Sequence, residues 1–305
     1  MKADSLPTGG HYLTLLALAF VWGSSFILMR IGLRGFDGDP VFNSYQVAAL
    51  RMFLAGLFLL PIAIKRVRHI SKQHLGWCLA VGVFGNLIPA FLFTSAQTEL
   101  DSSVAGILNS LTPVFALILA MAVFKVRFHY LQLIGLGLGL LGAIGLISLK
   151  DGSGAFLFWP SAKVVLATMC YAVSLNVIRN MLVGVHPVSI AAISLGMISI
   201  PCGMMLLGMD IGEVFERSAE AGAAFSAILV LSVVGTALAV ILFNRLVAGT
   251  SVIFASSVTY IIPIFAAMWG VFFDEHLQWM HLVYGLIILF GVYLINRKRP
   301  IVGKA

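Results

Sequence analysis

The sequence is short of charge, and of acid above all. Of 305 residues only 12 are Asp or Glu and 19 are Lys or Arg, a charged share of 10%; a globular domain carries about 25%. So few charges could not cover the surface of a water-soluble chain of this size, which excludes cytosolic enzymes, nucleic-acid binders and secreted scaffolds. Cysteine is equally scarce. Cys78, Cys170 and Cys202 sit inside apolar runs without ligand spacing, so neither a disulfide framework nor a zinc site is indicated. There is no Walker A lysine motif, so ATP is not the energy source, and no H-E-x-x-H pair of a membrane metalloprotease. What is present is hydrocarbon. The chain is 60% hydrophobic with a mean hydropathy of +1.04, and most of its surface must face lipid.

A spanning helix needs about 20 mostly apolar residues. Such runs occur at 13–33, 43–64, 75–95, 101–124, 130–149, 161–181, 188–208, 223–246, 250–273 and 279–296. The expectation is an all-α integral membrane protein of ten transmembrane helices. A β-barrel is excluded, because its strands alternate over about 10 residues and these runs are continuous. The first run is followed at once by nine more, so it is read as a span and not as a cleaved signal peptide. With the N-terminus inside, thirteen basic residues fall on inner segments and five on outer segments or helix ends, with Arg51 left inside a helix. That obeys the positive-inside rule. Eleven of the twelve acids fall outside, Asp4 excepted. Both termini are therefore expected in the cytoplasm, in a multi-pass protein of the inner membrane. The net charge of +7 is a topology signal, and its partner is the lipid bilayer, not nucleic acid.

The chain also repeats itself. A shift of 150 places Gly85 on Gly235, Phe93 on Phe243, Ala105 on Ala255, Pro113 on Pro263, Phe115 on Phe265 and Gly135 on Gly285, with eleven identities over residues 79–136. Residues 1–150 and 151–305 then hold five helices each. Five is odd, so the second half enters the membrane from the opposite side, an inverted-topology repeat of the kind secondary transporters use. The loops agree with the inversion. Lys125 and Arg127 follow the fourth helix, whereas Asp274, Glu275 and Leu277 follow the ninth.

Several short motifs add to this pattern: Trp22-Gly23-Ser24-Ser25-Phe26 in helix 1, Leu50-Arg51-Met52-Phe53-Leu54-Ala55 in helix 2, a proline in each fourth helix (Pro113, Pro263), and Asp274-Glu275-His276-Leu277 after the ninth. With these, the chain resembles the drug/metabolite transporter superfamily, EamA type, over nearly its whole length. The resemblance implies a carrier that moves small metabolites across the inner membrane, often outward, through a central cavity between the halves. The first repeat departs from the pattern, carrying Lys125 where the glutamate is expected.

The polar residues inside the spans locate that cavity independently. At 1.5 Å per residue, Asn86, Asn109, Thr236 and Thr259 reach one depth near mid-membrane, paired by the repeat, with Tyr260 adjoining. Ser, Thr and Asn also serve as ordinary glue between membrane helices, so interhelical packing stands beside a shared cavity as a reading. Trp22 and Tyr171 begin equivalent helices away from the interfacial belts, and Ser25 and Ser174 lie three residues further on. Pro113 and Pro263 mark helix breaks suited to gating. Arg51 lies about 12 Å into helix 2, where an arginine costs roughly 2.5–3.5 kcal/mol on insertion scales. A helix C-terminus, backbone carbonyls or an anionic ligand group must compensate it, since no Asp or Glu lies at that depth. Gly137-Leu138-Gly139-Leu140-Leu141-Gly142 has the spacing of a nucleotide motif but lies mid-span, and reads with Gly135 and Gly145 as a helix-packing face.

These residues favour a secondary carrier or exporter of small organic solutes, amino acids or other amphipathic molecules, working without a cofactor. A membrane enzyme acting on lipid and a non-transporting scaffold are the competing classes. A homodimer is left open. With no acid at mid-membrane, facilitated diffusion or exchange is expected in preference to proton antiport; titration of Glu99 or Asp101 at the rim is the alternative.

Overall fold

Within a bilayer core an apolar run can satisfy its backbone polar groups only by becoming a helix or closing a barrel. The structure, a computed structural model, is helical along these runs and describes residues 8–124, 129–149, 157–250, 255, 258–275 and 278–297. Eight helices are long and apolar enough to cross a membrane: α1 (Gly9–Arg34), α2 (Ser44–Val67), α3 (Lys72–Ala96), α4 (Ser102–Val123), α5 (Tyr130–Ile147), α6 (Phe158–Met181), α7 (Pro187–Leu207) and α8 (Ala221–Leu246). Two shorter apolar helices follow, α9 (Val258–Phe272) and α10 (Trp279–Ile295). The expected ninth span is thus described only from Val258 onward, apart from Ala255. Val252 and Ser256, the repeat mates of Ser102 and Gly106, lie outside the described residues, as do Lys125, Arg127, His276 and Leu277. A short helix, Ile211–Arg217, lies between α7 and α8, where the sequence reading has only a loop.

Packing follows the repeat. α2 lies along α7 and α5 along α10, each pair exchanging its members when the halves are swapped. α1 packs on α9 and α8, and their mates repeat the arrangement, α6 packing on α4 and α3. Six helices (α1, α3, α4, α6, α8 and α9) therefore crowd the centre. The α5–α10 pair forms its own seam, where Gly135 meets the Gly291 carbonyl and Gly142 lies under Tyr284 and Ile288. Gly137 has nothing within 4 Å of where a Cβ would sit, so the expected glycine face is real without it.

Two acids tie separate parts of the chain together. Glu220 accepts hydrogen bonds from the backbone N–H groups of Phe36 (2.7 Å) and Asp37 (3.3 Å), against Gly35, whose φ of 61° ends α1. Glu275, with its side chain 1% exposed, accepts from the backbone N–H groups of Ser102 (2.9 Å) and Ser103 (3.0 Å) and from Ser103 Oγ (2.7 Å). It thereby caps the first turn of α4 from the other repeat, where the orphan N–H groups and the helix dipole favour an anion. Arg30 lies 4.0 Å from Glu275 and over the Phe273 ring.

Candidate functional site

The centre of the six-helix ring is hollow. A cavity of about 180 Å³ lies there, lined from α1, α2, α3, α4, α6, α8 and α9 and from none of the helices α5, α7 and α10. Nine of the ten residues singled out in the sequence surround it: Trp22, Ser25, Arg51, Asn86, Asn109, Tyr171, Ser174, Thr236 and Thr259. Tyr260 is placed elsewhere. One helical step of about 100° turns it from Thr259 toward α10, where its hydroxyl donates to the Val292 carbonyl.

The lining is built from crossed, repeat-related contacts. Trp22 of α1 packs on Phe243 of α8 with ring centroids 5.1 Å apart, and its mate Tyr171 of α6 packs on Phe93 of α3 at 6.0 Å. A Cβ at Gly235 would come within 2.9 Å of Ser25 Oγ, and a Cβ at Gly85 would press on Ser174. Each serine thus occupies the space that a glycine of the facing helix leaves. In the Trp22-to-Phe26 motif every position has a task. Trp22 and Ser25 face the cavity. Gly23 admits the α9 backbone at Ile262, Ser24 accepts from Trp269 Nε1 at 2.7 Å, and Phe26 meets Phe93 at 5.7 Å.

The polar floor is made by irregular helix. α3 opens into a π turn at Val83–Leu87 and α8 into one at Val233–Leu238, positions 150 apart. In α3 the cause is local: Pro89 has no N–H, and its ring displaces the carbonyl four residues back. α8 has Ala239 at that place and shares only Val233 and Gly235 with the α3 turn. In each turn a polar side chain takes a carbonyl five residues back, Asn86 Nδ2 to Val81 at 3.4 Å and Thr236 Oγ1 to Leu231 at 3.0 Å. π turns of this kind frequently mark functional sites. α4 is also interrupted, ending one segment at Asn109 and resuming at Thr112. Pro113 sits in the first turn of the second segment, where a missing N–H costs nothing. Thr112 Oγ1 donates to the Asn109 carbonyl at 2.9 Å, while Asn109 Oδ1 is buried without a hydrogen-bond partner among the described residues. Pro263 is buried inside α9. Neither proline lines the cavity.

Arg51 carries the one formal charge among the described lining residues, which include no Asp, Glu or Lys. It is 9% exposed, and its Nε donates to Thr236 Oγ1 at 2.9 Å. Thr236, whose hydroxyl donates to the Leu231 carbonyl, is thus a rivet between α2 and α8. Tyr171 lies close enough to interact with Arg51 electrostatically. The backbone-carbonyl anchoring that the sequence left open is not what holds the guanidinium among the described residues.

Met29, Leu175, Ile178, Val240 and Asn244 also line the cavity; sequence reasoning did not single them out. The apolar ones carry no signal, since a lipid-facing and a cavity-facing Leu look alike. Asn244 could have been found as the repeat mate of Thr94.

Comparison with known proteins places this arrangement. The model of the EamA-like transporter family matches the chain twice, at residues 10–148 and 159–297. The uncharacterized inner membrane transporter YedA of Escherichia coli K12 is 24% identical over 290 residues, covering 92% of this chain and 89% of its own length. An uncharacterized transporter of Synechocystis is 26% identical, covering 95% and 90%. A chloroplastic WAT1-related protein of Arabidopsis thaliana is 25% identical, covering 97% and 72%. A solved crystal structure shares the fold with a TM-score of 0.63 at 13% identity, over 94% of this chain and 96% of that one.

Proposed function

The chain belongs to the EamA-like transporter family, and from that premise we propose that it is a secondary carrier of small organic metabolites, amino acids or other amphipathic compounds, exporting them across the cytoplasmic membrane by alternating access. Both termini lie on the cytoplasmic side in this reading, as the thirteen-to-five distribution of basic residues requires. The observation that carries the proposal is the cavity itself. It sits at the junction of the two inverted repeats, where rocking of one half against the other exposes it to either face. Its walls of indole, phenol and phenyl rings suit an apolar body, and its amides and hydroxyls suit a polar head.

Single cysteines placed at 86, 109, 236 and 259, in a protein whose native Cys78, Cys170 and Cys202 have been replaced by serine or alanine, test this. In membranes they are expected to react with a water-soluble thiol reagent and to be protected by a transported solute. Flux of that solute in proteoliposomes should depend on the protein. Four positions unreactive from both sides, or absence of protein-dependent flux for a broad metabolite panel, overturns the reading.

A further inference from the structure

Arg51 is over-equipped for a structural bolt. A guanidinium has five N–H donors; here one is used, on Thr236, and among the described residues no carboxylate or carbonyl receives the others. A neutral side chain could supply that single bond without burying a charge away from water. The charge is also one-sided. α7, the repeat mate of α2, carries no Asp, Glu, Lys or Arg between Pro187 and Leu207, so the polar symmetry of the cavity is broken by a single cation on the α2–α8 side. We propose that this unspent guanidinium is the anion subsite of the cavity, and that the substrate class is a small organic monocarboxylate with an aromatic or similarly apolar body and no compensating ammonium group.

The geometry orients such a molecule. Its carboxylate takes the free edge of Arg51 in the charge-assisted, two-pronged contact that arginine favours. Tyr171 lies beside that contact, and the crossed ring pairs Trp22–Phe243 and Phe93–Tyr171 enclose the body. An ammonium would meet no acid, since the described lining has none. An ammonium and a guanidinium sharing one small cavity repel each other.

The assignment rests on the carrier reading, and its test separates the two. A matched series, 3-phenylpropionate, L-phenylalanine, 3-phenylpropionamide and 3-phenylpropylamine, varies the head while keeping the body. The acid is expected to raise the melting temperature of the purified wild type, because a ligand of the folded state stabilises it, and to bind at least tenfold more tightly than the other three. Arg51→Gln should lose that tenfold preference and Arg51→Lys should keep part of it. Tyr260→Phe, a change outside the cavity, should retain the preference. The wild-type series stands alone if Arg51→Gln does not fold. Equal binding of amide and acid, an unchanged preference in folded Arg51→Gln, or no binding of any of the four overturns the anion subsite. Protein-dependent flux of the amide or amine without the acid also overturns it, while leaving the carrier reading standing.

Discussion

At the scale of single residues, Asn109 and Tyr260 show how far a polar group at mid-membrane commits itself. Asn109 lines the cavity with a buried, unpartnered Oδ1, and such a group costs roughly 1–3 kcal/mol unless something binds it. Asn109→Leu is therefore expected to leave the amount of folded protein unchanged or higher and to lower flux severalfold, read as initial rate per folded molecule in proteoliposomes. Tyr260 spends its hydroxyl on the Val292 carbonyl. Tyr260→Phe is expected to cost about 1 kcal/mol of stability, the net worth of one hydrogen bond, with flux per folded molecule unchanged. A thermal denaturation curve beside the flux assay checks both halves. The two side chains also mark what a sequence discloses. Depth along a helix is arithmetic, so Asn86, Asn109, Thr236 and Thr259 could be set at one level from residue numbers alone. Rotation about the helix axis is fixed by neighbours, and Tyr260, one residue past Thr259, points to α10 for that reason. Glu275 was legible as an acid in an outer turn; its role as a cap was not, because the α4 end that it caps lies 172 residues or more away in the chain.

Elements differ in how locally they are written. The ten spans were readable because hydrocarbon thickness imposes length and composition together, and among the described residues only the short Ile211–Arg217 helix escaped that signal. The π turns were not readable. Pro89 predisposes α3 to one, but α8 has none at the matching place; what the two turns share is a glycine set against a serine of the facing helix, Gly85 on Ser174 and Gly235 on Ser25. The α5–α10 seam can be tested through two glycines of one helix. A Cβ at Gly142 would stand 2.7 Å from Ile288 Cγ1 and 3.0 Å from the Tyr284 carbonyl, whereas at Gly137 it meets nothing within 4 Å. Gly142→Leu is expected to destabilise by about 1–3 kcal/mol or more, as overpacking does, and to reduce the monodisperse protein recovered after solubilisation. Gly137→Leu should match wild type. Equal yields of the two variants would show that the seam is not a close-packed contact.

At the scale of the whole molecule, two halves of one fold face each other across a cavity whose described lining includes no acid. Vesicles preloaded with solute are accordingly expected to show little change in initial flux when a pH gradient is imposed at zero potential. Uphill accumulation abolished by Glu99→Gln or Asp101→Asn would contradict this. The twofold relation was legible in matching prolines and glycines. What departs from it was not, since departures appear only when both halves are seen in place. One such departure is the buried Glu275, which holds α4 of the opposite repeat through three hydrogen bonds and lies 4.0 Å from Arg30. The residue at its offset in the first half is Lys125, which has no acceptor with which to cap a helix start. Among the described residues this carboxylate bolt therefore stands on one face of the molecule and has no described counterpart on the other. A solute arriving at the Glu275 face must wait for the bolt to open, and apparent affinity falls with the fraction of open molecules. At about 1.5–3 kcal/mol for a hydrogen bond to a charged group, loss of one such bond alone makes half-saturation on that face at least tenfold higher than on the other. The protein should therefore behave as a rectifier, loading readily from the side of its termini, and Glu275→Gln should bring the two half-saturation constants together.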